Sequence, residues 1–293
     1  MRDHPGARFL KPEVPNPWKG SGRTAARMQM EMNPQIIYFD CAGTLLHPAE
    51  PIGDVYARTA EAFGFRCDPG EVDRRFRAAW RRAAQPSYPG GPDEKVDLDW
   101  WRGIVRKSLS MTRPRVPGNL AGTPGENPGG TGKSSDTEAD NKDDADGGSG
   151  SDPESGPAAP AFEKCFAALF GHYARPDAWR IYPEVMSVLE ALRGKVRLGV
   201  LSNFDARLYP VLAGHGLSRF FEITVISSES AACKPDPAIF TRAADLAGLP
   251  PEACLLAGDD PVNDWQGAAT AGWRVFQLRR PENSLTGLLS LGC

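Results

Sequence analysis

Apolar and polar residues follow different periods in two blocks of this chain. In the first block, apolar or aromatic residues recur every three or four positions, as at Phe76, Ala79 and Ala83, and this spacing predicts amphipathic helices. In the second block, over 184–277, short continuous apolar runs alternate with helical patterns. That alternation is typical of a parallel sheet covered on both faces.

One strand precedes the helical block, and the other strands follow it. The predicted strands cover 35–40, 197–201, 222–226, 254–257 and 273–277. The predicted helices cover 54–65, 71–84, 97–110, 161–174, 184–192, 207–215, 237–247 and 264–271. We therefore expect an α/β fold: a Rossmann-like parallel sheet core over 35–48 and 180–293, with an inserted α-helical cap over 49–179.

Two segments show neither the helical spacing nor the apolar runs of strands. Residues 1–34 are predicted to be a disordered leader, and the chain start at Met1 is open to question because Met28, Met30 and Met32 precede the first orderly segment. Residues 117–159 contain ten Gly, five Pro and nine Asp or Glu. Such a stretch buries too little apolar area to offset chain entropy, so we expect a disordered acidic loop inside the cap.

Composition excludes several classes of protein. The 293 residues carry 34 Lys and Arg against 37 Asp and Glu, a net charge of −3 that gives no general attraction to nucleic acid or anionic lipid. No apolar run approaches the ~20 residues that cross a bilayer, so we expect a cytoplasmic protein without membrane contact. The six cysteines lie far apart without a CxxC pair, which favours neither a disulfide framework nor a structural zinc site.

Polar side chains follow four of the predicted strands, where ligands gather in open parallel sheets. They are Asp40 after the first strand, Ser202 and Asn203 after the second, Lys234 beyond the third, and Asp259, Asp260 and Asp264 after the fourth. A hydroxyl and an ammonium suit an anionic group, and oxygen ligands suit Mg²⁺. The predicted chemistry is attack by Asp40 on a phosphorus or another electrophile beside Mg²⁺.

The strings FDCAGTLL, VLSNFD, CKPDPAIF and LLAGDDPVNDWQGA resemble, in order, the four motifs of the haloacid dehalogenase (HAD)-like hydrolases. The resemblance is strong over 36–66 and 180–280. The position of the cap between the first two motifs resembles the helical-cap subfamily, and SNFDARLYPVLAGHGLSRFFEITVISSESAACKPDPAIF resembles its REG-2-like (HDHD-type) branch. The resemblance implies a phosphatase that acts on a small phosphorylated metabolite.

The resemblance also implies roles for single residues. Asp40 would be the nucleophile that forms an aspartyl-phosphate, and Lys234 would be catalytic by neutralising charge on Asp40 and on the transferring group. The substrate-binding set would be Thr44, Ser202, Asn203 and Lys234. The Mg²⁺ ligands would be Asp40, the carbonyl of Ala42, Asp259 and Asp264, the last as a ligand or as an orienting group.

Ala42 departs from the family pattern. Phosphatases of this family usually have an aspartate two residues after the nucleophile, which protonates the leaving oxygen, and a methyl group moves no proton. General acid–base catalysis contributes roughly 10²–10⁴ in rate, so we expect slow turnover, or restriction to good leaving groups such as acyl and aryl phosphates. His47 is a candidate substitute because histidine titrates near neutrality.

Three alternatives to a phosphatase stay open. A weakly active or non-catalytic homologue would bind phosphoryl ligands or a protein partner. A phosphonate hydrolase resembles this chain at Ala42 but uses a cap lysine, and no lysine lies between Lys19 and Lys95. In this family, the 2-haloacid dehalogenases have an arginine soon after the nucleophile, whereas the first arginine after Asp40 in this chain is Arg58.

Two groups of cap residues are interpreted without a catalytic role. We expect the aromatic residues Phe76, Trp80, Trp100 and Trp101 to pack inside the cap. We expect the arginines Arg74, Arg75, Arg81 and Arg82 to form a solvated face. The oligomeric state is not readable from these patterns.

Overall fold

Five parallel strands form the central sheet of the computed structural model, which describes residues 33–109 and 160–291. In spatial order they are Ile223–Ile226 (β5), Arg197–Ser202 (β4), Ile36–Phe39 (β1), Cys254–Gly258 (β6) and Arg274–Gln277 (β7). Each end of each strand lies within one residue of its predicted position. The sheet confirms the predicted α/β fold class.

The central strand β1 builds the two layers of the core. Its four residues are fully buried, and side chains along a strand point alternately to opposite faces. Ile37 and Phe39 belong to one apolar cluster, whereas Ile36 and Tyr38 belong to another. A strand buried on both faces reads as a continuous apolar run, which is why the sequence pattern located it.

Nine α-helices occur in the described residues. They are Ile52–Ala62 (α1), Pro69–Arg82 (α2), Glu94–Ser108 (α3), Pro160–His172 (α4), Val185–Leu192 (α5), Leu208–Gly214 (α6), Ser227–Ser230 (α7), Pro237–Ala247 (α8) and Gly267–Thr270 (α9). Short 3₁₀-helices cover Pro176–Ala178, Ser218–Phe220, Pro251–Ala253 and Leu285–Ser290, and a π-helix covers Pro261–Gln266. Helix α5 packs on one face of the sheet, and α8 packs on the other.

Some helices begin earlier than predicted because side-chain caps set their starts. Asp68 accepts a hydrogen bond from the amide of Glu71, and Pro69 follows it as the first helical residue of α2. Asp93 caps α3 in the same way. The helix predicted over 264–271 begins as the π-helix, because the Asp260 side chain accepts from the amides of Val262 and Asn263. Apolar spacing marks only the buried part of a helix.

Helices α1 to α4 lie between two short strands, Leu46–Pro48 (β2) and Trp179–Ile181 (β3), which pair antiparallel. The spacing pattern did not predict this two-stranded sheet. The four helices share an apolar cluster of their own, which includes Val55, Val105 and Phe166. The helical insertion therefore leaves and rejoins the core at one place.

Several predictions fall outside the described residues. These are the loop over 117–159 and the leader over 1–34, except for its last two positions. Within the described ranges no helix has the length and apolar character needed to cross a bilayer. Cys41, Cys67, Cys165, Cys233 and Cys254 are free thiols.

Candidate active site

The carboxyl ends of the central strands bring three predicted site residues to one edge of the sheet. Asp40 follows β1 directly, Ser202 is the last residue of β4, and Asp259 follows β6. Because β1 pairs in parallel with both neighbours, these ends lie side by side. The Asp40 amide also donates to the carbonyl of Ala257, 3.0 Å away.

Asp40 is held by a hydroxyl and an ammonium group. The Ser202 hydroxyl donates to Oδ1 of Asp40 over 2.9 Å, and Nζ of Lys234 donates to the same oxygen over 2.7 Å. These bonds fall on Oδ1, and none of them uses Oδ2. The Asp40 carboxylate is therefore oriented while one of its oxygens stays available for chemistry.

Lys234 is a buried cation with three acceptors. Its side chain is 2% exposed, and Nζ also donates to Oδ1 of Asp264 over 2.6 Å and to the carbonyl of Leu201 over 3.0 Å. Burial acts to lower the pKa of Lys234, but the charges of Asp264 and Asp40 outweigh it and raise the pKa above its ordinary value. Lys234 therefore carries a full positive charge at neutral pH.

Asn203 holds the main chain of Lys234. Its Oδ1 accepts from the Lys234 amide over 2.7 Å, and its Nδ2 donates to the Lys234 carbonyl over 2.8 Å. Both ends of the Asn203 amide are thus engaged with the residue that reaches Asp40. In this arrangement Asn203 positions Lys234, and its predicted contact with substrate stays a prediction.

Asp40, Asp259 and Asp264 form an acidic trio whose closest carboxylate oxygens lie within 4.8 Å of one another. Burial, followed by the charge of Asp40, raises the pKa of Asp259 to about 7. Burial raises the pKa of Asp264 to about 6. One ammonium group, on Lys234, faces these three carboxylates, so the site has an excess of negative charge that a divalent cation would balance.

The three carboxylates of the trio differ in how many of their oxygens already accept hydrogen bonds. Both oxygens of Asp264 are occupied, Oδ1 by Lys234 and Oδ2 by the amide of Asp260 at 3.0 Å. Asp259 accepts from the Thr44 hydroxyl at Oδ1 over 2.8 Å, which leaves its Oδ2 without such a bond. The residues therefore fit a Mg²⁺ ion, with oxygens free of such bonds on Asp40 and Asp259, whereas both oxygens of Asp264 already accept hydrogen bonds.

In the turn after β1, the Ala42 side chain is exposed and the Thr44 side chain is buried. Ala42 is exposed and lines the cavity above Asp40. Gly43 has a φ of +95°, and a Cβ atom there would lie 2.3 Å from Oδ2 of Asp259, so only glycine fits. Thr44 is fully buried, donates to Asp259 and does not line the cavity. The structure therefore gives no support to its predicted contact with substrate, which stays a prediction.

His47 lies apart from this arrangement. Its ring packs against Tyr182 with centroids 4.8 Å apart, and its Nδ1 is 2.9 Å from the carbonyl oxygen of Pro48. His47 is not among the residues that line the cavity. The hypothesis that it replaces the missing aspartate therefore gains no support from its position.

A cavity of about 430 Å³ lies between the sheet edge and the helical insertion. Its floor is polar and contains Asp40, Ala42, Ser202, Asn203, Lys234, Asp259, Asp260, Asn263 and Asp264. Its upper walls are largely apolar and contain Ile52, Tyr56, Phe76, Trp80, Trp101, Val105, Phe166, Leu169, Phe170 and Tyr173. This size lies within the ~300–1,000 Å³ range of small-molecule sites.

The interpretation of the cap residues needs two additions. Phe76, Trp80 and Trp101 pack on one another, as predicted, but they also line the cavity; Trp100 packs beside them without lining it. Among the four arginines, Arg81 lines the cavity although it is exposed. Helix spacing identifies an apolar face but does not say whether that face meets a cavity.

The cavity wall includes residues that the sequence analysis did not single out, among them Arg207 and Tyr173. Arg207 pairs with Asp205 at 2.7 Å, and its guanidinium lies 3.6 Å over the ring of Phe170, so it connects the sheet edge to the helical insertion. Tyr173 has a buried hydroxyl with no partner among the described residues. In the sequence, Asp205 and Arg207 stand two positions apart, which allows a local ion pair but does not reveal the contact with α4.

The family model for haloacid dehalogenase-like hydrolases matches residues 34–272 of the chain. The chain belongs to this family. The match includes all four strings on which the resemblance was based, and it covers the helical insertion as well as the sheet.

Relatives and solved structures of this HAD-like hydrolase agree with that assignment. Haloacid dehalogenase-like hydrolase domain-containing protein 3 of Danio rerio is 27% identical over 86% of this chain and 88% of its own length. Rhythmically expressed gene 2 protein of Drosophila melanogaster is 28% identical over 82% and 80%. These relatives confirm the predicted branch.

A structure described as a predicted phosphoglycolate phosphatase from Haemophilus somnus has the same fold, with a TM-score of 0.55 and 17% identity. The match covers 88% of this chain and 98% of the Haemophilus somnus chain. At this identity the likeness concerns the fold alone.

Proposed function

We propose that this HAD-like hydrolase is a Mg²⁺-dependent phosphatase that acts on a small phosphorylated metabolite through an aspartyl-phosphate on Asp40. The observation that carries the proposal is the Asp40 carboxylate, held by Ser202 and Lys234 at the floor of a cavity and beside Asp259. We also propose that residues 49–179 are the cap, with the core over 35–48 and 180–293.

The proposed reaction has two steps. In the first, an oxygen of Asp40 attacks phosphorus, and the bond to the leaving oxygen breaks with its electron pair on that oxygen. In the second, water attacks the phosphorus of the aspartyl-phosphate, which releases inorganic phosphate and restores the Asp40 carboxylate. The protons that the attacking water loses pass to solvent, because the methyl group of Ala42 cannot accept them. Lys234 and Ser202 bind the transferring phosphoryl oxygens in both steps.

The acidic trio supports the choice of Mg²⁺. Asp40, Asp259 and the carbonyl of Ala42 would hold the ion, with Asp264 as a further ligand or as the group that orients its surroundings. When bound, Mg²⁺ supplies positive charge next to the phosphoryl oxygens. Lys234 donates hydrogen bonds to Asp40 and Asp264 and so offsets part of the negative charge of the trio.

A panel of phosphate esters and acyl phosphates, assayed with Mg²⁺ and with a chelator, tests the proposal. We expect release of inorganic phosphate with Mg²⁺ and loss of at least about 90% of it with the chelator, because three carboxylates facing one ammonium group leave an excess of negative charge that repels the phosphoryl anion. Activity that the chelator leaves unchanged contradicts the Mg²⁺ dependence. A 2-haloacid belongs in the panel, and chloride release from it supports a dehalogenase.

The alternative from another class is a homologue that binds a phosphoryl ligand or a protein partner without turnover, and Ala42 favours it. No turnover anywhere in the panel, together with stabilisation by inorganic phosphate, would support binding. A phosphonate hydrolase is disfavoured because Lys234 is the only lysine that lines the cavity in the described residues. A dehalogenase is disfavoured because Arg58 is exposed and pairs with Glu50 outside the cavity.

Replacement of Ala42 by aspartate is expected to increase hydrolysis of alkyl phosphates by at least about tenfold. The Ala42 side chain is exposed to the cavity, so a carboxyl group has room there and supplies the proton that the leaving oxygen needs. The measurement is kcat on an alkyl phosphate, with Ala42→Asn as the control of equal size. Equal rates in parent, Ala42→Asp and Ala42→Asn would mean that proton transfer does not limit turnover.

A further inference from the structure

We infer that the group carried by the phosphate is aromatic, so that the substrate is an aryl phosphate. This inference rests on the proposed function and specifies its substrate class. Two separate features of the chain lead to it: the residue at position 42 and the walls of the cavity. Neither is sufficient alone, because each leaves a broader class of compounds.

The first feature limits the leaving group. With Ala42 beside the reacting centre, the leaving oxygen departs with its electron pair and receives its proton from water afterwards. A phenolic oxygen does so readily, since phenols such as tyrosine have a pKa of about 10, whereas an alkoxide resembles hydroxide, whose parent water has a pKa of about 15.7. The absence of an acid at position 42 therefore permits aryl and acyl phosphates as substrates and disfavours alkyl phosphates.

The second feature selects between those two classes. Rings from three helices of the insertion line the same cavity as Asp40: Phe76 and Trp80 from α2, Trp101 from α3, and Phe166 and Phe170 from α4. Phe76 and Trp80 are stacked with an interplanar angle of 23°, and the centroids of Trp80 and Trp101 are 5.5 Å apart. Aromatic walls bind planar rings through offset-stacked and edge-to-face contacts.

Two of the three arginines in the upper walls have their charge balanced by a neighbouring carboxylate. Arg77 pairs with Asp73, and Arg207 pairs with Asp205. The third, Arg81, is exposed to solvent. The Arg207 guanidinium also lies flat over the ring of Phe170, so it extends the aromatic surface. A small acyl phosphate such as acetyl phosphate would leave this space unfilled, whereas an aryl group fills it.

The test compares two substrates within each variant. We would measure kcat/KM for 2-naphthyl phosphate and for acetyl phosphate, both with Mg²⁺, in the parent, in Trp80→Ala and in Trp100→Ala. Trp80 is 41% exposed, so its loss is tolerable, and Trp100 is the matched control because it packs in the same cluster without lining the cavity. The ratio of the two kcat/KM values does not depend on how much protein is folded.

We expect the parent to prefer 2-naphthyl phosphate. We expect Trp80→Ala to lower the ratio about fivefold, chiefly through KM, because one aromatic contact is lost. Trp100→Ala should change the ratio less than twofold. An unchanged ratio in Trp80→Ala, or a parent that prefers acetyl phosphate, overturns the inference while the proposed phosphatase stands. A parent that hydrolyses neither compound also overturns the inference, and activity elsewhere in the panel of phosphate esters then decides whether the proposed phosphatase stands.

Discussion

Asp40→Asn is expected to reduce phosphate release by about 10⁴-fold or more, the effect of removing a nucleophile. The amide has nearly the shape of the carboxylate, so it can keep the bond from Ser202, but its oxygen lacks the negative charge that attacks phosphorus. The measurement is the rate with the best substrate of the panel. Acid-quenched parent protein should also carry a labelled phosphoryl group, and the variant should carry none.

The control for this variant is Asp245→Asn, an aspartate on the exposed side of α8 that lies away from the cavity. It should keep the parent rate. If Asp40→Asn retained more than about 1% of the activity, or still trapped a labelled phosphoryl group, another residue would have to be the nucleophile.

Lys234→Met is expected to lower both activity and stability. Removal of one partner of a buried ion pair costs about 3–5 kcal/mol, because the carboxylates that remain are buried without compensation. Asp40 and Asp264 are those carboxylates here, at 2.7 and 2.6 Å from Nζ. For a protein of this size the loss corresponds to a fall in Tm of roughly 10 °C. Differential scanning calorimetry measures it.

A second variant separates stability from chemistry. Lys234→Met combined with Asp264→Asn removes one of the two uncompensated charges, so it should recover part of the lost Tm while activity stays low. Lys195→Met, at an exposed lysine, is the control and should melt as the parent does. A Tm for Lys234→Met within 2 °C of the parent would contradict the importance of the buried pair.

Much of the fold was predictable because its signals are local. Strand β1 is buried on both faces and therefore reads as a continuous apolar run ending at Asp40. Helix α8 was predicted with its observed bounds, since Asp236 and Pro237 mark its start and Gly248 its end. The sheet between β2 and β3 was missed, because three-residue strands carry no periodic signal.

The candidate site was predictable as a set of residues but not as a set of contacts. Apart from His47, the predicted side chains occur at or beside one edge of the sheet, since parallel strands end there. The role that the resemblance implies for Thr44 and Asn203 is contact with substrate, whereas their hydrogen bonds in the structure go to Asp259 and to the main chain of Lys234. A motif gives the residue type at a position, but it does not give its partner.

The sequence by itself determined the strands, the amphipathic helices and the order of the four polar segments, because each of these depends on neighbours a few residues away. Only the tertiary structure decided that Nζ of Lys234 bridges Asp40 and Asp264, and that Thr44 reaches Asp259 across 215 positions of the chain. It also decided that the rings of the insertion face the cavity. Such contacts depend on how two separately formed layers pack, and no local pattern records that packing.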